Sequence, residues 1–204
     1  RVAACLIVSV ALQVGVNYAN DYSDGVRGTD DVRVGPTRLV ASGLASPAAV
    51  KRAAFVSFGV AAVAGLAIAL DTSLILLVVG AAAIAAGWFY TGGPKPYGYL
   101  GLGEVFVFVF FGLVATVGST YAAVGKITAL SVVVGCVAGS LACALLVINN
   151  LRDIPTDRDV GKRTLAVRLG DSGTRLLYVL LVGGAFVLIG LCAVWRPFTL
   201  LGLL

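Results

Sequence analysis

Asparagine and aspartate recur at helical spacing where the first apolar run ends. Asn17, Asn20, Asp21 and Asp24 stand at i, i+3, i+4 and i+7, which stacks them on one face if the helix runs on through them. Gln13, four residues earlier, extends that stripe toward the membrane. A second cluster lies in Asn149-Asn-Leu-Arg-Asp-Ile-Pro-Thr-Asp157, where Asn149, Asp153 and Asp157 follow at intervals of four. Pro155 has no N–H to contribute and predicts a kink or a helix end beside it. Carboxylates at membrane depth are costly unless they face a cavity, a metal or a partner charge. One such cluster is also what a helix end reaching water looks like; a second one weakens that reading sharply.

Two carboxylate–amide stripes facing each other would offer hard oxygen ligands. These suit Mg²⁺, which takes a few carboxylates together with phosphate oxygens and water. Arg27, Arg152, Arg158, Lys162 and Arg163 lie among or beside the acids, and guanidinium forks match phosphate geometry. Arg168 and Arg175 read instead as interfacial anchor charges. The pattern therefore predicts a clamp for a magnesium-bound diphosphate. The chain has no histidine, which removes Ser-His-Asp catalysis, His-ligated haem and histidine proton relays. Cys5, Cys136, Cys143 and Cys192 all lie in apolar runs without zinc-site spacing and read as small core hydrophobes.

The elements that must position these groups are membrane helices. Of 204 residues, 59% are hydrophobic and 12% charged, with mean hydropathy +1.01; ordinary soluble domains carry about twice that charge. The fold class expected is all-α, a polytopic transmembrane helix bundle. Spans read at about 2–20, 50–70, 73–90, 101–122, 128–149 and 176–195, with another beginning near 198. Ser46-Pro47 makes an N-cap and first-turn pair for the second. The 26 glycines, including Gly135-x-x-x-Gly139, predict close helix packing through small residues. Counting spans places the connections at 21–49, 90–99 and 150–175 on one side of the membrane. With Lys51 and Arg52 at the start of the second span, twelve of the 15 Lys and Arg residues lie on that side, as do eight of the ten acids. That asymmetry predicts a cytoplasmic face for the site. No basic–aromatic pattern argues for nucleic acid.

The motifs resemble those of the UbiA superfamily of intramembrane prenyltransferases. The carrying strings are Asn20-Asp-Tyr-Ser-Asp24 with Gly28-Thr-Asp30, and Asp153-Ile-Pro-Thr-Asp157. Wider strings, Asn17 to Asp30, Tyr90 to Glu104 and Asn149 to Ala166, are similar to the branch that prenylates 1,4-dihydroxy-2-naphthoate in menaquinone biosynthesis. The resemblance implies a nine-helix fold, of which residues 1–204 would form a single domain truncated at its N-terminus and at its C-terminus. It implies a polyprenyl diphosphate donor, 1,4-dihydroxy-2-naphthoate as acceptor and Mg²⁺ as cofactor, all at the lipid bilayer of a bacterial cell membrane. Carried over residue by residue, Asn20, Asp24, Asp153 and Asp157 would be catalytic and metal-binding. Arg27, Arg152 and Lys162 would hold diphosphate, and Tyr90, Lys95 and Glu104 would meet the acceptor. One departure stands out. Many members carry the second acid of the first motif at the position of Gly28, whereas the next acids here are Asp30 and Asp31. Asp30, six residues after Asp24, is the further candidate metal ligand, set apart from the other four by that longer spacing.

Other classes fit less well. Asp21-Tyr-Ser-Asp24-Gly25 matches the start of a CDP-alcohol phosphotransferase motif, but Gly28-Thr29 replaces its Ala-Arg pair and the later acids are missing. A cation-coupled transporter would place its acids near the bilayer midplane, not at one face. Within the superfamily, acceptors such as 4-hydroxybenzoate are the main competition.

Overall fold

A computed structural model describes residues 1–30 and 35–198. Asp31, Arg33 and the span expected from about 198 lie outside those residues. The described chain is helical: α1 (Val2–Arg27), α2 (Pro47–Asp71), α3 (Ile75–Phe89), α4 (Gly103–Val107), α5 (Ala115–Val124), α6 (Ala129–Arg152), α7 (Ile154–Asp159) and α8 (Leu165–Cys192). A π-helical stretch over Phe108–Val114 joins α4 to α5, so Gly103–Val124 runs as one 22-residue helix. Among the described residues, five helices are long and apolar enough to cross a membrane, and the chain is a multi-pass membrane protein.

Local chemistry sets the helix ends. Ser46 accepts the Ala49 N–H and Pro47 opens α2, because a proline at N1 gives up only an N–H that would be orphaned anyway. Thr128 and Ser131 cap α6 reciprocally. α3 is 15 residues long, about 22 Å, and so falls short of a full apolar crossing; Gly92, Gly93 and Pro94 stop it. α8 starts at Leu165, well before the span read at 176, capped by Thr164 and bent at Gly170 (φ 71°). Arg168, Asp171 and Arg175 lower the hydropathy of its first turns and conceal that helical start.

Small residues bring the helices together. Ala19, Ala54 and Phe58 form a buried cluster between α1 and α2. A Cβ on Gly15 would lie 2.6 Å from the Phe58 ring, so the phenyl ring occupies the space that glycine leaves. The Gly135/Gly139 face of α6 receives the π-helical turn: a Cβ on Gly112 would meet Gly139 Cα at 2.4 Å and Gly135 O at 2.7 Å. The wide turn and the glycine face thus allow backbone-to-backbone approach.

The three polar connections meet at one end of the bundle. The Arg27 guanidinium donates to the carbonyls of Thr91 and Gly93, and the Arg163 N–H donates to Tyr99 O at 2.9 Å. The opposite end is tied by Arg1, which pairs with Asp71 at 2.6 Å and donates to Ala122 O at 3.4 Å.

Candidate active site

The last turns of α1 carry the first cluster into the interior. α1 continues through the motif and ends where Gly28 turns left-handed (φ 71°). Thr29 N–H then bonds back to Asp24 O at 3.1 Å. A glycine suits this turn because a Cβ there would be strained. An acid at position 28 would have to adopt that strained conformation, and the next acid, Asp30, arrives after it. Asp30 is buried, lines the cavity and lies 3.6 Å from Arg38.

Each acid of the first motif has different partners. Asp24 is 5% exposed; its Oδ1 accepts from the Tyr99 hydroxyl at 2.5 Å, and its Oδ2 lies 3.3 Å from Lys162 Nζ. Asn20 Oδ1 accepts from Thr91 Oγ1 at 2.9 Å. Asp21 lines the same cavity but is already occupied. Both its oxygens are taken by backbone, the Leu39 N–H at 2.9 Å and the Val40 N–H at 3.0 Å, so it holds the loop between α1 and α2.

The second cluster follows the break at Asp153. α6 ends at Arg152, and Pro155 opens the short α7. Asp153 is gripped by Arg152 through two N–H bonds of 2.6 and 2.7 Å. Asp157 anchors the next turn: its N–H donates to Asp153 O and its own carbonyl accepts the Lys162 N–H, both at 2.8 Å. Burial, then the charges of Asp153 and Asp24, push the Asp157 carboxyl up to about 6 against the pull of Lys162.

A cavity of about 920 Å³ collects these groups. Asn20, Asp24, Asp30, Asn149, Arg152, Asp153, Asp157 and Lys162 line its polar end, joined by Tyr90. Leu12, Val16, Val79, Phe110 and Val114 wall it onward toward Cys5 and Ala122, near the Arg1 end. Three expected residues sit elsewhere. Arg27 is outside this lining, with two donors on loop carbonyls. Lys95 is exposed and does not face the cavity. Glu104 is buried behind the wall, where it accepts from Asn150 Nδ2 at 3.0 Å; Asn150 is the residue that lines the cavity. Conversely, Tyr99 and Thr91 contact the first motif without having been singled out by spacing. Their signal is their place in the Gly/Pro-rich Tyr90–Glu104 string, which marks a built loop but not what it touches.

Among the described residues no three acidic, histidine or cysteine groups converge closely enough to hold a metal alone. The donor set nonetheless fits Mg²⁺: carboxylate and amide oxygens on two walls, with room for phosphate oxygens and water to complete the shell. The model of the UbiA prenyltransferase family matches residues 1–204, the whole chain. This chain belongs to that family. It is 53% identical over 198 residues to the 1,4-dihydroxy-2-naphthoate octaprenyltransferase of Mycobacterium tuberculosis, covering 97% of this chain and 68% of that one. The Mycobacterium leprae protein of the same name is 56% identical over 90% of this chain and 62% of its own length. That of Escherichia coli is 38% identical over 91% and 63%. The chain thus spans about two thirds of the length of the curated relatives it matches. Both acid clusters of this family member open into a single cavity.

Proposed function

We propose that the chain forms the catalytic part of an aromatic polyprenyltransferase. It would transfer a polyprenyl group from polyprenyl diphosphate to 1,4-dihydroxy-2-naphthoate with loss of CO₂, toward demethylmenaquinone. The observation that carries this is the cavity itself. Its acids and cations are gathered at one end, and its apolar walls run toward the other. A diphosphate belongs at the first and a prenyl tail along the second. The names of the relatives support the acceptor. The asymmetry of Lys and Arg supports a site facing the cytoplasm.

Asn20, Asp24, Asp153 and Asp157 would hold Mg²⁺, which when bound neutralises charge on the departing diphosphate. Lys162 and Arg152 face the same space and would share that charge as the allylic C–O bond breaks. The apolar walls exclude water from the allylic cation, which would otherwise be hydrolysed. The ring carbon bearing the carboxylate of the acceptor forms the new bond to the terminal prenyl carbon. CO₂ leaves and its bonding pair returns to the ring, restoring aromaticity; diphosphate leaves with the electrons of the broken C–O bond. Tyr90, in the same lining, would bound the space for the acceptor ring.

The test offers the membrane-embedded protein a labelled polyprenyl diphosphate with either 1,4-dihydroxy-2-naphthoate or 4-hydroxybenzoate. Prenylated naphthalene with one CO₂ per transfer, abolished by chelation, is expected. Product from the benzoate alone would overturn the acceptor. Asp157 adds a pH signature. A metal ligand must be deprotonated, and burial pushes this carboxyl up to about 6. Its proton competes with Mg²⁺ increasingly as pH falls through that value. The Mg²⁺ concentration for half-maximal transfer should therefore rise about tenfold between pH 7 and pH 5. A requirement independent of pH over that range would contradict the role of Asp157.

A further inference from the structure

Tyr99 belongs to neither acid cluster, yet it touches elements of both. It sits in the 3-10 turn Tyr97–Leu100. Its hydroxyl donates to Asp24 Oδ1 at 2.5 Å, and Thr29 Oγ1 lies 3.3 Å from the same hydroxyl. Its carbonyl accepts the Arg163 N–H. Over its ring stand Lys162 Nζ, 4.7 Å from the centroid, and the Arg27 guanidinium at 5.4 Å. One residue therefore joins the end of α1 to the segment that follows α7.

We propose that Tyr99 is a positioning residue for the metal–diphosphate site, fixing the rotation of the Asp24 carboxylate and holding Lys162 beside it. This rests on the function proposed above. A free aspartate turns broadly about its terminal torsion. A short hydroxyl–carboxylate bond is of the charge-assisted kind, and here it ties up Oδ1. Oδ2 is left toward Lys162, so Asp24 offers one oxygen in a fixed direction. That suits an ion which demands near-octahedral geometry and keeps most of its shell for water and phosphate. The ring contributes separately: its face attracts the ammonium and keeps Lys162 near the carboxylate while leaving its N–H groups free to turn to a diphosphate.

Tyr99→Phe removes the hydroxyl and keeps the ring. Outer groups that orient metal ligands typically contribute about 10–100-fold to metal affinity. Binding of Mn²⁺ in the presence of inorganic diphosphate, followed by electron paramagnetic resonance, should weaken by about tenfold or more in Tyr99→Phe. The Mg²⁺ requirement of prenyl transfer should rise by the same factor, with the rate at saturating Mg²⁺ within about threefold of wild type, as expected when only metal binding is impaired. Tyr97→Phe is the control. It removes a comparable hydroxyl bond from the same turn, to Ala86 O at 2.7 Å, and should leave Mn²⁺ affinity within about twofold. Unchanged Mn²⁺ affinity in Tyr99→Phe overturns the proposal. So does an equal loss in Tyr97→Phe, which would make the effect one of loop structure. If the wild type binds Mn²⁺ and diphosphate but transfers no prenyl group, the functional reading fails while the Tyr99 comparison still stands on binding.

Discussion

Lys162→Met should lower prenyl transfer by about 10²–10³-fold, the range seen when one preorganised charge-stabilising donor is lost, and should also destabilise the protein. Lys162 and Asp24 are 8% and 5% exposed and lie 3.3 Å apart. Removing one partner of a buried pair strands the other charge, typically at about 3–5 kcal/mol. The Tyr99 hydroxyl still bonds Asp24, which places the expected loss toward the lower end. The double variant Asp24→Asn with Lys162→Met removes the stranded charge. It should recover most of the thermal stability in detergent while remaining inactive. That non-additivity is the signature of direct coupling. If the single and double variants melt alike, the pair carries no stability. If Lys162→Met retains near-normal transfer, Lys162 does not serve the diphosphate.

Asp153→Ala should have the second large effect. Asp153 stands at the break between α6 and α7 and is held by Arg152 through two short bonds. Its loss removes a proposed metal ligand and frees Arg152, a cation in the lining, from its fixed position. Transfer should fall by about 10²–10³-fold at any Mg²⁺ concentration. Asp153 is partly exposed, so the same substitution should change stability by no more than about 1 kcal/mol. Asp153→Asn tests charge against shape: the amide could still accept from Arg152 but offers the metal no anion. Activity in Asp153→Asn close to wild type would remove Asp153 from the metal site.

Helical spacing carried the reading of the site as far as side chains on continuous helices are concerned. Asn20 and Asp24 stand four apart on a helix that does continue, and both reach the cavity. Asp153 and Asp157 reach it despite the break at Asp153, because the short α7 resumes at once with Pro155 in its first turn. Asp21 lines the cavity with them, but spacing cannot reveal its partners, the Leu39 and Val40 N–H groups, which loop folding brings to it. The loop residues fared likewise. Arg27 spends its donors on Thr91 and Gly93 carbonyls, and Lys95 faces away from the cavity. Glu104 supports Asn150 from behind the wall. The contacts of Tyr99 depend on how the 90–99 connection folds across two others, which no periodicity encodes. Helix ends were legible where a cap marked them, as at Ser46. They were obscured at α8, whose charged first turns broke the apolar run.

Both acid clusters would act on one diphosphate in one cavity. The most direct measurement is a structure of the protein in lipid with Mn²⁺ and an unreactive prenyl thiodiphosphate, the metal located by its anomalous scattering. Manganese is expected between the diphosphate and the carboxylates of both clusters, Asp24 from α1 and Asp153 or Asp157 from the α6–α7 junction, with the prenyl chain lying along Val16, Phe110 and Val114. Manganese or diphosphate bound to one cluster only, or seated outside this cavity, would contradict it.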